Sequence, residues 1–208
     1  MDKKILDQQS QYWEKNFLSK PEMFGQEPSK AAVKTLKIFK EAKIKQIIEL
    51  GSGLGRDSIF FAKNSIHVKA LDYSPAAVKI IDKKILENKL SNLISTKIFD
   101  IRKKLPFKDN SIEACFSHML YCMALSTSEL ENLNKEVFRV LKPGGINVYT
   151  VRHTGDGDYK NGIHIGEDMY ENDGFVVHFF SEEKVKKISN GFNIINIESF
   201  EEGNFPRK

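Results

Sequence analysis

Between residues 45 and 151, short β-branched apolar runs alternate with amphipathic stretches, and nothing else in the chain narrows its fold so much. The pattern is that of successive βαβ units, so an α/β fold with a mostly parallel sheet flanked by helices is expected. The expected strands are 45–50, 67–71, near 93–99, 112–117 and 146–151. The helices between them carry legible ends. Ser74 offers a capping hydroxyl ahead of Pro75, whose missing N–H costs nothing at a first helical position, and the run 76–87 propagates from there. Ser126 and Glu129 have capping-box spacing. Leu130, Leu133, Val137, Val140 and Leu141 then form one apolar stripe that Pro143-Gly144-Gly145 should stop. Ala32, Leu36 and Phe39 mark a helix after Pro28-Ser29, and residues 1–20 suggest an N-terminal helix bearing Tyr12, Trp13 and Phe17.

The chain has 208 residues, 40% of them hydrophobic, which suits one domain. Within 1–208, residues 1–42 read as a helical cap, 43–152 as the ligand-binding core and 153–208 as a substrate loop with the last part of the sheet. A core of this size buries roughly 70% of the unfolded surface without staples. Cys115 and Cys122 lie in an apolar stretch without CxxC spacing, as expected of buried small hydrophobes in a reduced, cytoplasmic protein. Apolar runs fall well short of a membrane span, and no secretory h-region opens the chain. A net charge of +4, spread rather than blocked, gives no indication of a nucleic-acid partner. The segment 152–180 breaks the βα rhythm with Gly, Asp, His and aromatic residues. It emerges where ligands sit in open α/β sheets, beyond the carboxyl ends of the strands, and is expected to wall the substrate.

Four strand ends carry the candidate chemistry. After the first strand, Gly51, Gly53 and Gly55 let the backbone turn tightly and approach a ligand; the spacing is GxGxG, not the GxGxxG of dinucleotide folds. Asp72 ends the second strand, 21 residues after Gly51, where a carboxylate can accept both hydroxyls of a ribose or, more plainly, serve as a capping or surface Asp. Asp100 and Ile101 end the third, placed to accept from an adenine amino group and pack its ring. Ser117, His118, Met119, Leu120 and Tyr121 follow the fourth.

Together these segments resemble the class I S-adenosylmethionine-dependent methyltransferases that act on small molecules. The resemblance rests on Glu49-Leu50-Gly51-Ser52-Gly53-Leu54-Gly55, on Asp72, on Asp100, on Leu105-Pro106-Phe107-Lys108-Asp109-Asn110-Ser111, and on Val137-Phe138-Arg139-Val140-Leu141-Lys142-Pro143-Gly144-Gly145. It spans roughly residues 45–152. It implies a Rossmann-like, doubly wound sheet, S-adenosyl-L-methionine as cofactor, and methyl transfer to a small-molecule acceptor. By position, Gly51 and Gly53 would contact the methionine part, Glu49 would orient its amino group and Asp72 would hold the ribose. Tyr73, Asp100 and Ile101 would bound the adenine, Ser117 would give backbone contacts, and Tyr12 and Trp13 would close the site. Such sheets end in an antiparallel pair. Residues 192–200 fit its first strand, but the sequence stops at Lys208 before the second, leaving a shortened chain or an exposed edge that invites a homodimer.

Methyl transfer from a sulfonium needs alignment more than covalent help, and a base only if the acceptor arrives protonated. His118, His153 and His178 are the candidate bases or substrate contacts, with His164 a weaker one. Tyr121, Arg152 and Tyr159 are candidate substrate contacts; Arg152 could fork a carboxylate or phosphate, or pair with Asp156 in a turn. A metal set from Asp156, Asp158, His153 and His164 has no supporting geometry in the sequence, and no metal is expected. A nicotinamide oxidoreductase would want GxGxxG. An RNA or protein methyltransferase would want a basic stripe or a different sequence after the fourth strand, and a non-catalytic cofactor-binding protein would share the core.

Overall fold

The computed structural model describes residues 3–202, with side chains described from Asp7 onward. Five parallel strands build the central sheet: β1 (Gln46–Leu50), β2 (His67–Asp72), β3 (Ile94–Ile98), β4 (Ile112–Ser117) and β5 (Leu141–Tyr149). Their order is β3-β2-β1-β4-β5, so the direction of winding reverses between β1 and β4. A crevice opens there at the carboxyl ends, where doubly wound sheets bind ligands.

Alternation along each strand feeds two cores. Ile48, Leu50 and Cys115 face α5 (Thr127–Val140) and α6 (Glu182–Ile188), packing with Leu130, Leu133, Val137 and Ile188. Ile47, Ala114 and Phe116 face the other way, against Leu36 and Phe39 of α2 (Lys30–Glu41), Phe61 of α3 (Arg56–Lys63) and Ile81 and Ile85 of α4 (Pro75–Glu87). The expected caps form: Ser74 accepts from Ala77 N, and Ser126 and Glu129 close a capping box. α1 (Lys3–Ser19) lies across the carboxyl end of the sheet rather than on a face, with Phe17 packed among Leu54, Ala76 and Ala77.

Three stretches differ from expectation. The α5 stripe ends at Val140, ahead of Pro143; Leu141 already pairs with Ile112, and residues 142–145 loop out before Ile146 meets Ala114. The segment 152–180, expected as a loop, folds into a second sheet of β6 (Arg152–His153), β7 (Ile163–Gly166), β8 (Met169–Asn172) and β9 (Phe175–Phe180), in the order β6-β9-β8-β7. Its register shift at Gly166 hid the period-2 pattern that would have announced it. Residues 192–200 form no strand. They run past β5 without a ladder, with Ile195 93% exposed, while Phe200 packs near Ile146 and Val148, and Lys34 pairs with Glu198. A strand exists by virtue of its neighbour, and among the described residues nothing bridges this segment to β5.

Candidate functional site

The glycine turn is held by the end of β2. Gly51 N and Ser52 N both donate to Leu71 O, at 2.9 and 3.1 Å, and Gly53 N donates to Asp72 Oδ2 at 2.8 Å. Gly51 has φ +68°, and a Cβ there would lie 2.9 Å from the Leu120 side chain; Gly53 has φ +52°, but its Cβ would find only Phe17, at 3.8 Å. The first glycine is therefore demanded by packing, whereas the second leaves a clear face beside the backbone. The turn opens onto a cavity of about 2010 Å³, which also extends between β5 and the 193–200 segment.

Carboxylates dominate the turn. Asp72, 4% exposed, accepts from Ser74 N through Oδ1 as well as from Gly53 N, and burial pushes its pKa up to about 6. Ser74 is the residue that caps α4, so Asp72 braces the turn while it also lines the cavity. Glu49 is equally buried and hydrogen-bonded by the Ser58 hydroxyl, and desolvation, with Asp57 nearby, holds its pKa well above the usual carboxylate range. Asp57 itself accepts from Ser29 N and Oγ at 2.7 and 2.8 Å, tying α3 to α2.

Most of the expected cofactor residues converge on this cavity: Tyr12, Trp13, Glu49, Gly51, Gly53, Asp72, Tyr73, Asp100 and Ile101 all line it. The Tyr73 hydroxyl donates to Gln9 O at 3.2 Å, linking β2 to α1. Asp100 is forked by Arg102, which lowers its pKa against the effect of burial, and Arg102 reaches on to Asp7 of α1. Ser117 differs: its side chain is wholly buried with no partner for Oγ and is not part of the cavity wall, so only its backbone could serve a ligand. α1 roofs the crevice with rings: Trp13 stacks on Phe17 at 5.4 Å, and Tyr12 stacks on Phe175 of β9 at 5.7 Å.

The candidate bases and substrate contacts separate. His118 lines the cavity; its Nδ1 lies 2.9 Å from Thr150 Oγ1 and its Nε2 3.4 Å from a Glu202 carboxylate oxygen. Thr150 Oγ1 also accepts from Met119 N; with the imidazole proton on Nε2, toward Glu202, the Thr150 hydroxyl donates to Nδ1. Burial lowers the His118 pKa. His153 is exposed at the rim, with Nδ1 accepting from Gly155 N. His178 is fully buried away from the cavity wall, with Nδ1 against Leu125 O at 2.7 Å and Nε2 beside Lys184 and Glu167, a place within the second sheet's core. His164 bonds Glu167 O on the surface. Tyr121 is buried and stacked on Tyr149 at 4.3 Å, behind the wall, and the Tyr159 hydroxyl donates to Asp168, also outside it. Arg152 lines the cavity, but its fork is filled by Asp156 and, through the same Nη2, by Asp158 at 2.8 Å, which is the turn-forming alternative. Met119, expected among the residues after the fourth strand, and Phe175, expected in the substrate wall, line the cavity, and Thr150, Met123 and Glu202 join the wall without having been singled out as site residues. Thr150 could have been found, since it stands directly after a strand end. Glu202 returns from far along the chain with no local signal.

A cofactor with an ammonium, a sulfonium and a ribose fits this donor set. Two buried carboxylates flank a turn whose glycine face is open, and apolar rings close over it.

The comparisons agree. A methyltransferase-domain family model matches residues 47–145. Phosphoethanolamine N-methyltransferase 1 of Triticum aestivum is 33% identical over 102 residues, which is 49% of this chain and 20% of that protein. The chain thus spans about a fifth of the length of the curated relatives it matches. In fold, the CcbJ methyltransferase of Streptomyces caelestis superposes with a TM-score of 0.66 at 14% identity, covering 79% of this chain and 78% of that one. The PH0226 protein of Pyrococcus horikoshii OT3 superposes at 0.63 with 17% identity, over 84% and 85%. Over residues 47–145 the chain is thus similar to the methyltransferase-domain family, and in fold to methyltransferases of known structure.

Proposed function

We propose that the chain transfers a methyl group from S-adenosylmethionine to a small-molecule nucleophile. The observation that carries this is the pairing of Gly53 N with a buried Asp72 beneath an open glycine face. When bound, S-adenosylmethionine supplies a methyl carbon activated by a sulfonium that departs as a neutral thioether. The chain's own residues do the rest. Asp72 accepts from ribose hydroxyls, Glu49 receives the ammonium, and the α1 rings exclude water, so that the low local dielectric strengthens both contacts. His118, kept neutral at pH 7 by burial, is the proton acceptor. The acceptor's proton passes to Thr150 Oγ1 as the Thr150 proton passes to His118 Nδ1, and Glu202 faces the resulting imidazolium. His153 at the rim is a substrate contact.

No helix among the described residues is long and apolar enough to cross a membrane, and we place the protein in the cytoplasm on its two buried free thiols, Cys115 and Cys122. The unpaired edge of β5 supports a homodimer.

A labelled-methyl assay across thiols, amines, phenols and tRNA tests the reading. With the accepted compound, His118→Gln should lower turnover by about 100-fold while cofactor affinity changes less than about threefold. Labelling of tRNA alone, or turnover that survives the substitution, would refute the assignment.

A further inference from the structure

We infer that the methyl acceptor is an uncharged, predominantly apolar molecule offering one nucleophilic atom, and that phosphorylated and carboxylated compounds are rejected; this rests on the methyl-transfer reading above. Among the described residues, five cations line the cavity: Lys34, Arg56, Arg102, Lys142 and Arg152. Each already faces a carboxylate. Arg152 is held by Asp156 and Asp158, Arg102 by Asp100 and Asp7, Lys34 by Glu198, and Lys142 by Glu113. Arg56 lies 3.9 Å from both Asp57 and Glu202 and donates to Phe24 O. A phosphate brought into this space would have to strip a cation from its partner, and an anion buried without one is strongly disfavoured.

The wall beyond β4 and β5 is made by Met119, Met123 and Ala124 below, with Tyr12, Trp13 and Phe175 above. Tyr12 and Phe175 stack on each other and Trp13 meets both edge-on, at 88°, so the rings satisfy one another and leave no cage for an ammonium. Gln9, the amide nearest these rings, is spent: Nε2 donates to Gly174 O and Oε1 accepts from Val176 N. Beside these apolar side chains stands the Thr150 hydroxyl backed by His118, with His153 at the rim. An acceptor seated against Met119, Met123 and the α1 rings therefore meets mainly apolar surface, with one proton-accepting point at Thr150. Phosphoethanolamine, the compound in the names of the Triticum aestivum relatives, carries a phosphate, and each cation lining this cavity already faces a carboxylate.

Trp13 is the chain's single tryptophan and stands in that wall, so its fluorescence reports occupancy. The full chain, saturated with S-adenosylhomocysteine, is titrated with 4-ethylphenol, 4-hydroxyphenyl phosphate and phosphoethanolamine. The expected result is saturable quenching by 4-ethylphenol, at least 10-fold weaker binding of its phosphorylated counterpart, and no response to phosphoethanolamine. Equal or tighter binding of either phosphate, or no response to 4-ethylphenol, overturns the inference. Calorimetry with S-adenosylmethionine on the same preparation before S-adenosylhomocysteine is added separates the two levels: cofactor binding beside a failed titration removes the substrate class alone, and absence of cofactor binding removes the underlying reading.

Discussion

At the scale of single residues, the two glycines of the turn make different demands although both hold positive φ. Gly51→Ala adds a clash with Leu120 to the left-handed strain of about 1–2 kcal/mol, and should lower the urea midpoint well below that of Gly53→Ala. Gly53→Ala should instead fold near-normally and lose cofactor affinity, because its methyl enters the space left for the ligand. Equal stability of the two variants would show that Leu120 yields freely. Asp72 gives a pH test. Its folded pKa of about 6 lies above its ordinary 3.8, so the stabilising effect of its protonation is complete below 3.8 and is lost as pH rises to about 6. Above that, the ionised carboxylate costs roughly 3 kcal/mol. Asp72→Asn removes this cost but leaves one of two backbone N–H donors unmatched. Urea unfolding should therefore favour the variant more at pH 8 than at pH 4; the same difference at both values would contradict the buried, ionised carboxylate. The glycines and Asp72 were legible in the sequence because each directly follows or ends an apolar strand run, and the 21 residues from Gly51 to Asp72 span one helix between two such runs. Glu202 gains its place only when residue 202 arrives beside His118, which no local pattern records, whereas Thr150 stands directly after the end of β5.

At the scale of elements, α1 is attached by polar staples at both ends of the roof. Glu14 accepts from Ser74 Oγ and from Ala76 N, engaging the start of α4, while Gln9 is bonded to the β8–β9 turn at Gly174 and to Val176. Glu14→Ala should cost about 1–3 kcal/mol locally, raise amide exchange along α1 and weaken cofactor binding, because Phe17 and Trp13 ride on the same helix. Unchanged exchange in α1 would mean that its rings alone hold it. Strands β1 to β4 were readable to within a residue or two at their ends, as was the capping box, because periodicity and caps are local. The second sheet was not: Gly162, Gly166 and Gly174 interrupt its alternation, and its strands owe their order to pairing across turns.

At the scale of the whole molecule, the two sheets and α1 meet around one crevice, and α1 and Glu202, far apart in the chain, both reach it. α1 covers the glycine turn, while Glu202 comes to His118 and Arg56 and Lys34 secures Glu198. A shared ligand space built from such distant parts is what the central claim requires. Calorimetry of the full chain with S-adenosylmethionine and with NAD in parallel tests it most directly. One-to-one micromolar binding of S-adenosylmethionine, abolished in Asp72→Ala, with no heat from NAD, is the predicted result; NAD binding in the absence of any S-adenosylmethionine binding would contradict the account.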